Sequence, residues 1–137
     1  MATILIIDDD PSFRDYLVSL LQRAGYQVRV AESGVDVENI LQSEQIAAVV
    51  TDLYMPNADG IETTRAVKRV APELPVIGLT GAHIHGTEVC LRAMIAFGAV
   101  AALSKPLNVP AFLSTVRRVI DNPGRNPAIT SSAGAVL

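Results

Sequence analysis

The sequence predicts an α/β fold: a parallel β-sheet covered on both faces by helices. Three observations lead there. Short apolar runs alternate along the chain with stretches of helical periodicity, as in successive strand–helix units. The runs at residues 4–7, 47–50 and 76–79 are continuously apolar, which suits strands buried on both faces. Of 137 residues, 50% are hydrophobic, 18% charged and 4% aromatic, a balance that builds an aliphatic core and argues against disorder. The length makes one domain the expectation.

Ile4–Ile7 is the first strand, rich in β-branched residues. Asp10-Pro11 follows as an N-cap with proline at the first helical position. Phe13, Leu17, Leu20, Leu21 and Ala24 then repeat with helical spacing, and Gly25 is a natural stop. Val28 and Val30 mark a short second strand. Ser33-Gly34 opens a second helix with Val37, Ile40 and Leu41 on one face. Ala47–Val50 is the third strand, ending at Thr51-Asp52. The loop from Met55 to Gly60 leads into a helix over about Ile61 to Val70. Val76–Leu79 is the fourth strand, ending at Thr80-Gly81. A helix is expected from about Thr87 to Phe97, stopped by Gly98. Ala99–Leu103 is a weak fifth strand before Ser104-Lys105-Pro106. The last helix, Val109–Ile120, turns Phe112, Val116, Val119 and Ile120 inward. Residues 1–121 form the domain on this basis. Residues 122–137 lack periodicity and are expected to be a flexible tail or linker.

Charge and composition exclude several classes. The net charge of −3 does not suit a nucleic-acid-binding surface, which wants a basic excess. Cys90 is the single cysteine, so no internal disulfide forms, and a reducing, cytoplasmic setting is expected. No apolar run approaches the roughly 20 residues that span a bilayer. The strand-like run begins almost at the first residue, so no signal peptide is expected.

The chemistry concentrates at strand ends. Asp8, Asp9 and Asp10 follow directly on the first strand. Carboxylates this close raise one another's pKa and oppose folding unless something positive sits among them. A hard divalent cation with oxygen ligands is the obvious candidate. Asp52 ends the third strand, Thr80 the fourth, and Lys105 follows the fifth. Ligands of open parallel sheets bind beyond the carboxyl ends of the strands. One crevice should therefore gather carboxylates, a hydroxyl and an ammonium.

These residues carry a resemblance. The stretches Ile4-Leu5-Ile6-Ile7-Asp8-Asp9-Asp10-Pro11, Asp52-Leu53-Tyr54-Met55-Pro56-Asn57-Ala58-Asp59-Gly60, Ile77-Gly78-Leu79-Thr80-Gly81 and Lys105-Pro106 occur in order. Together they resemble the receiver domain of two-component response regulators, of the chemotaxis-regulator type, over roughly residues 3–121. The resemblance implies a flavodoxin-like, doubly wound, five-stranded parallel sheet of order 2-1-3-4-5. It makes Asp52 the phosphoacceptor, since a carboxylate can attack phosphorus and carry an acyl phosphate. Asp8, Asp9, Asp52 and the backbone carbonyl of Tyr54 would bind Mg²⁺ (or Mn²⁺). Thr80 and Lys105 would contact the phosphoryl group, and the bond before Pro106 is expected to be cis. The implied donor is a histidine kinase or histidine phosphotransfer protein, with Arg14 and Tyr16 on the first helix as a docking surface. A downstream protein of unknown identity would read the switch, with no nucleic acid or membrane contacted by this domain.

Two positions depart from the family pattern. Ala102 stands three residues before Lys105, where the family usually has a Tyr or Phe that follows the switch hydroxyl inward. A switch centred on the loop from Gly81 and the helix after it is the expectation instead. Tyr54 and Ala82 offer no carboxylate or amide to orient a hydrolytic water, which implies a long-lived phosphoryl group. Other residues have plainer roles: Asp10 an N-cap, Asp59-Gly60 a turn, His83 and His85 solvated loop residues, Cys90 helix packing. The alternative function is a phosphorylation-independent, receiver-like interaction module. A phosphatase using an aspartate nucleophile is disfavoured, because Tyr54 stands where such enzymes carry a second aspartate.

Overall fold

The computed structural model describes residues 1–32, 34–52, 60–81, 92, 95, 96, 98–122 and 128–130. Its elements run β1 (Thr3–Ile7), α1 (Pro11–Arg23), β2 (Gln27–Ala31), α2 (Gly34–Ser43), β3 (Ala48–Asp52), α3 (Gly60–Val70), β4 (Val76–Thr80), β5 (Ala101–Ser104), α4 (Val109–Asp121) and β6 (Ala128–Thr130). Arg92, Ile95 and Ala96, within the helix expected before Gly98, are helical. The sheet order is β2-β1-β3-β4-β5-β6, with every pairing parallel. The expected order 2-1-3-4-5 is therefore present, with one strand more at its β5 edge.

Strand residues alternate between two cores because successive Cβ atoms point to opposite faces. Leu5, Ile7, Val49, Val76 and Ala102 pack with Val37, Ile40 and Val67 of α2 and α3. Ile4, Ile6, Val50, Ile77, Leu79 and Leu103 pack on the other face with Leu17 and Leu21 of α1 and with Phe112, Val116 and Val119 of α4. Every residue of β3, β4 and β5 is buried. β2 is an edge strand, and Val30 on it is exposed.

Local chemistry sets the helix ends. The Asp10 side chain caps α1, accepting the Ser12 amide at 3.0 Å and the Phe13 amide at 3.4 Å, with Pro11 at the first position. Gly25, at φ +98°, closes the helix, where a residue with a Cβ would be strained. Ala24, expected on the apolar stripe, is instead the exposed C-cap. Asn108 caps α4 by accepting the Ala111 amide at 3.0 Å.

The segment after α4 adds to this frame. Residues from 122 onward were expected to be tail, yet Ala128–Thr130 add a parallel strand, with Ala101 opposite Ala128 and Leu103 opposite Thr130. An unpaired sheet edge is a template for any short strand that reaches it, and three residues are too few to show a periodic pattern. The expected five strands keep their order, and β6 extends the sheet at its β5 edge. The rest of the expected tail, 123–127 and 131–137, lies outside the described residues.

Candidate functional site

Parallel register brings the polar strand ends together. Ile7 lies opposite Thr51, one position before Asp8 and Asp52. Asp52 pairs with Leu79, next to Thr80. Thr80 pairs with Ser104, and the Lys105 amide donates to the Thr80 carbonyl at 2.7 Å. Asp8, Asp52, Thr80 and Lys105 thus meet at the carboxyl end of the sheet, as an open parallel sheet demands.

Lys105 holds the centre. Its Nζ donates to Asp52 Oδ2 at 3.1 Å and stands 3.8 Å from Asp8 Oδ2, the latter too far for a hydrogen bond. The Lys105–Pro106 peptide bond is cis. Asp52 is buried, and so is Thr80. The Asp8 side chain is 1% exposed. One of its oxygens, Oδ1, accepts the Asp10 amide at 2.9 Å. The other, Oδ2, is buried with no hydrogen-bond partner.

That orphaned oxygen decides the electrostatics. Burial pushes the Asp8 carboxyl above its ordinary value. The Asp10 amide opposes that shift, the negative charges of Asp52 and Asp9 add to it, and Lys105 opposes it. A buried carboxylate oxygen lacking a donor is costly. It fits a hard cation, which takes oxygen ligands and cancels the repulsion. Asp9 is partly buried beside Asp8. Among the described residues no three His, Cys, Asp or Glu side chains gather into a ready-made metal cage. The oxygen donors at this end of the sheet are the Asp8, Asp9 and Asp52 carboxylates. Tyr54, whose carbonyl was an expected ligand, lies outside the described residues, as do Ala82, His83, His85 and Cys90.

Two neighbours of the site were not assigned to it from sequence. Phe13 was expected only in the apolar stripe of α1, yet its ring centroid lies 3.9 Å from Lys105 Nζ. The ring of Tyr16 packs 5.9 Å from it at 46°. Arg14 was expected on a docking surface. Its side chain is 17% exposed, 3.7 Å from Glu32, and donates to the Asp8 carbonyl at 3.3 Å. It ties the start of α1 to the end of β1. A sequence signal for both existed: each lies within one helical turn of the aspartate run. Ala102 is fully buried opposite Gly78, so no ring stands where the family pattern has one.

A family model described as the response regulator receiver domain matches residues 4–117. The chain is 36% identical over 114 residues to the sensor histidine kinase RcsC of Salmonella typhi, covering 82% of this chain and 12% of that kinase. It is 37% identical over 81 residues to the response regulator receiver protein CpdR of Brucella abortus, covering 59% of this chain and 68% of CpdR. The solved structure of the Vibrio cholerae chemotaxis protein CheY4 superposes with a TM-score of 0.76 at 31% identity, covering 87% of this chain and 98% of that one. The chain thus spans about an eighth of the length of the sensor kinases it matches. Among the described residues no helix is long and apolar enough to cross a membrane.

Proposed function

We propose that in this chain, which belongs to the response regulator receiver domain family, Asp52 accepts a phosphoryl group from a histidine kinase or histidine phosphotransfer protein. The observation that carries this reading is the Lys105 ammonium, 3.1 Å from Asp52 and 3.8 Å from a buried, otherwise unpartnered oxygen of Asp8. A carboxylate pair held by one lysine at the end of a parallel sheet, once a divalent cation has joined it, is suited to receiving a dianionic group.

The chemistry asks little of the protein beyond alignment and charge. An oxygen of Asp52 attacks phosphorus. The P–N bond of the donor phosphohistidine breaks, and its electron pair leaves with the imidazole nitrogen. Lys105 moves from the Asp52 carboxylate to the incoming phosphoryl oxygens, and the Thr80 hydroxyl donates to them as well. Asp8 and Asp52, with Asp9 beside them and the Tyr54 carbonyl as a further ligand, would hold Mg²⁺ or Mn²⁺. When bound, that ion neutralises phosphoryl charge as it builds. Transfer and later hydrolysis are self-catalysed and depend on the bound ion.

The acyl phosphate biases an equilibrium between two conformations. With Ala102 in place of a ring, the readout centres on the loop from Gly81 and the helix after it, where a downstream protein binds. No nucleic acid or membrane takes part, and the domain works in the cytoplasm. Residues 1–121 carry the switch, and the segment after them is a tail or linker that lends β6 to the sheet.

The test is intact mass after incubation with acetyl phosphate and Mg²⁺. The expected result is a gain of one phosphoryl group that disappears in Asp52→Asn. No gain in the parent protein would favour a receiver-like interaction module that works without phosphorylation.

A further inference from the structure

We propose that Phe13 is a positioning residue for Lys105: its ring holds the ammonium in place while Lys105 exchanges the Asp52 carboxylate for phosphoryl oxygens. The inference rests on the phosphoryl-transfer reading above.

Three groups surround Lys105 Nζ: Asp52 Oδ2 at 3.1 Å, Asp8 Oδ2 at 3.8 Å and the Phe13 ring at 3.9 Å. Their fates in the reaction differ. With acetyl phosphate, a bond forms between phosphorus and an Asp52 oxygen, the bond to the acetate oxygen breaks, and acetate leaves. The Asp52 carboxylate becomes an acyl phosphate and loses its full charge as a partner. Asp8 is beyond hydrogen-bond distance. The ring is in contact with the ammonium, keeps its charge distribution throughout, and does not compete for the phosphoryl group.

An ammonium over an aromatic face is attracted by the ring quadrupole, more strongly as water is excluded. The Lys105 side chain is only 21% exposed. Its stem is long and flexible, so without a fixed neighbour the charge would wander once Asp52 lets go. Small misplacements of a charged group cost rate.

The ring is itself held. The Asp10 cap accepts the Phe13 amide, fixing the first turn of α1. Tyr16, 43% exposed, packs against Phe13 from the solvent side. A line of contacts therefore runs from an exposed ring on α1, through Phe13 and Lys105, to Asp52.

Phe13 also packs partly against the α1–α4 core, and a purely structural role must be told apart. Graded fluorination does so: it keeps the shape of the ring and removes its negative face. Phe13 is replaced by mono-, di- and trifluorophenylalanine and by Leu, and phosphorylation by acetyl phosphate and Mg²⁺ is timed. The rate is expected to fall stepwise with fluorine count, reaching about fivefold, with Tm unchanged along the fluorinated series. In a Lys105→Met background the same series should have no effect. Separately, the ε-methylene protons of Lys105 should resonate upfield through the ring current and lose that shift in Phe13→Leu. A flat rate across the series, or an equal fall without Lys105, overturns the proposal. So does the absence of the upfield shift. If the parent protein gains no phosphoryl group, the phosphoryl-transfer reading itself falls and the role with it, while the proton shift still reports whether the contact exists.

Discussion

Lys68 and Lys105 are both partly buried lysines, at opposite ends of the same parallel sheet, and they do different work. Lys68 Nζ donates to the carbonyl of Leu74 at 2.7 Å and lies 3.5 Å from that of Pro72. It ties the end of α3 to the turn that enters β4, and no carboxylate pairs with it among the contacts described. Burial pushes its pKa down. Lys105 faces two carboxylates and an aromatic ring. Carbonyls fasten a lysine into the fold, whereas carboxylates that repel one another share an ammonium they can later release. Burial and residue type are alike in the two cases, so the surroundings separate structure from chemistry.

Each lysine stem also rests on a glycine. A Cβ at Gly98 would come within 3.2 Å of Lys68 Cγ, and Gly98 has φ +116°. A Cβ at Gly81 would lie 3.6 Å from Lys105 Cδ, an ordinary contact, with no positive φ. At Gly98 both the positive φ and the close pass of the Lys68 stem exclude a side chain, whereas the Lys105 stem leaves ordinary contact space at Gly81.

The largest expected effect is on the chemistry. Lys105→Met should slow phosphorylation of Asp52 by about 100-fold, while Lys68→Met leaves the rate unchanged. Timed intact-mass measurements on both variants settle it, and a matching loss in Lys68→Met would erase the distinction. Next is Gly98→Ala, expected to cost about 1–3 kcal/mol in urea unfolding because it puts a side chain at positive φ.

Asp8→Asn should raise the stability of the metal-free protein by about 1 kcal/mol, since it removes a buried negative charge. The pH dependence follows from the sign of the shift. Asp8 is raised from 3.8 in the folded protein, so its contribution is fully present below the unfolded value and is lost as pH rises through the folded one. Unfolding curves from acid to neutral pH should show that decline in the parent protein and not in Asp8→Asn. Adding Mg²⁺ should raise Tm in the parent and much less in the variant. Lys68→Met should lose about 1 kcal/mol, the worth of an ordinary hydrogen bond, because desolvation of the ammonium offsets the extra strength of a charged donor. The smallest effect is expected for Gly81→Ala, within about 0.5 kcal/mol. A large loss there would mean that Lys105 is packed as rigidly as Lys68.

The site's half of this contrast is legible in the sequence. Asp52, Thr80 and Lys105 stood out because each ends a recognisable strand, and strand ends converge in a parallel sheet. Asp10 was readable as a cap because capping is a local matter between a side chain and the next two or three amides. Phe13 does belong to the apolar stripe of α1, but its second contact is not local. Helical periodicity says which face of α1 is apolar, but not that one end of that face overhangs the lysine that follows β5. Arg14 was read as surface because its partners, the Asp8 carbonyl and Glu32, lie across a turn and on another strand.

The apolar runs, the caps and Gly25 specify the kinds of elements and most of their ends, because those signals act over a few residues. What pairs with what is a different matter. The order of the strands, the register that sets Lys105 beside Thr80, and the capture of Ala128–Thr130 by the β5 edge depend on crossovers and on which hydrogen-bonding edge is left open. The orphaned oxygen of Asp8 is of the same kind. Three aspartates in a row advertise repulsion, but only packing decides which carboxylate oxygen is buried without a donor. Desolvation is a property of the whole surrounding surface, and no short stretch of sequence carries it.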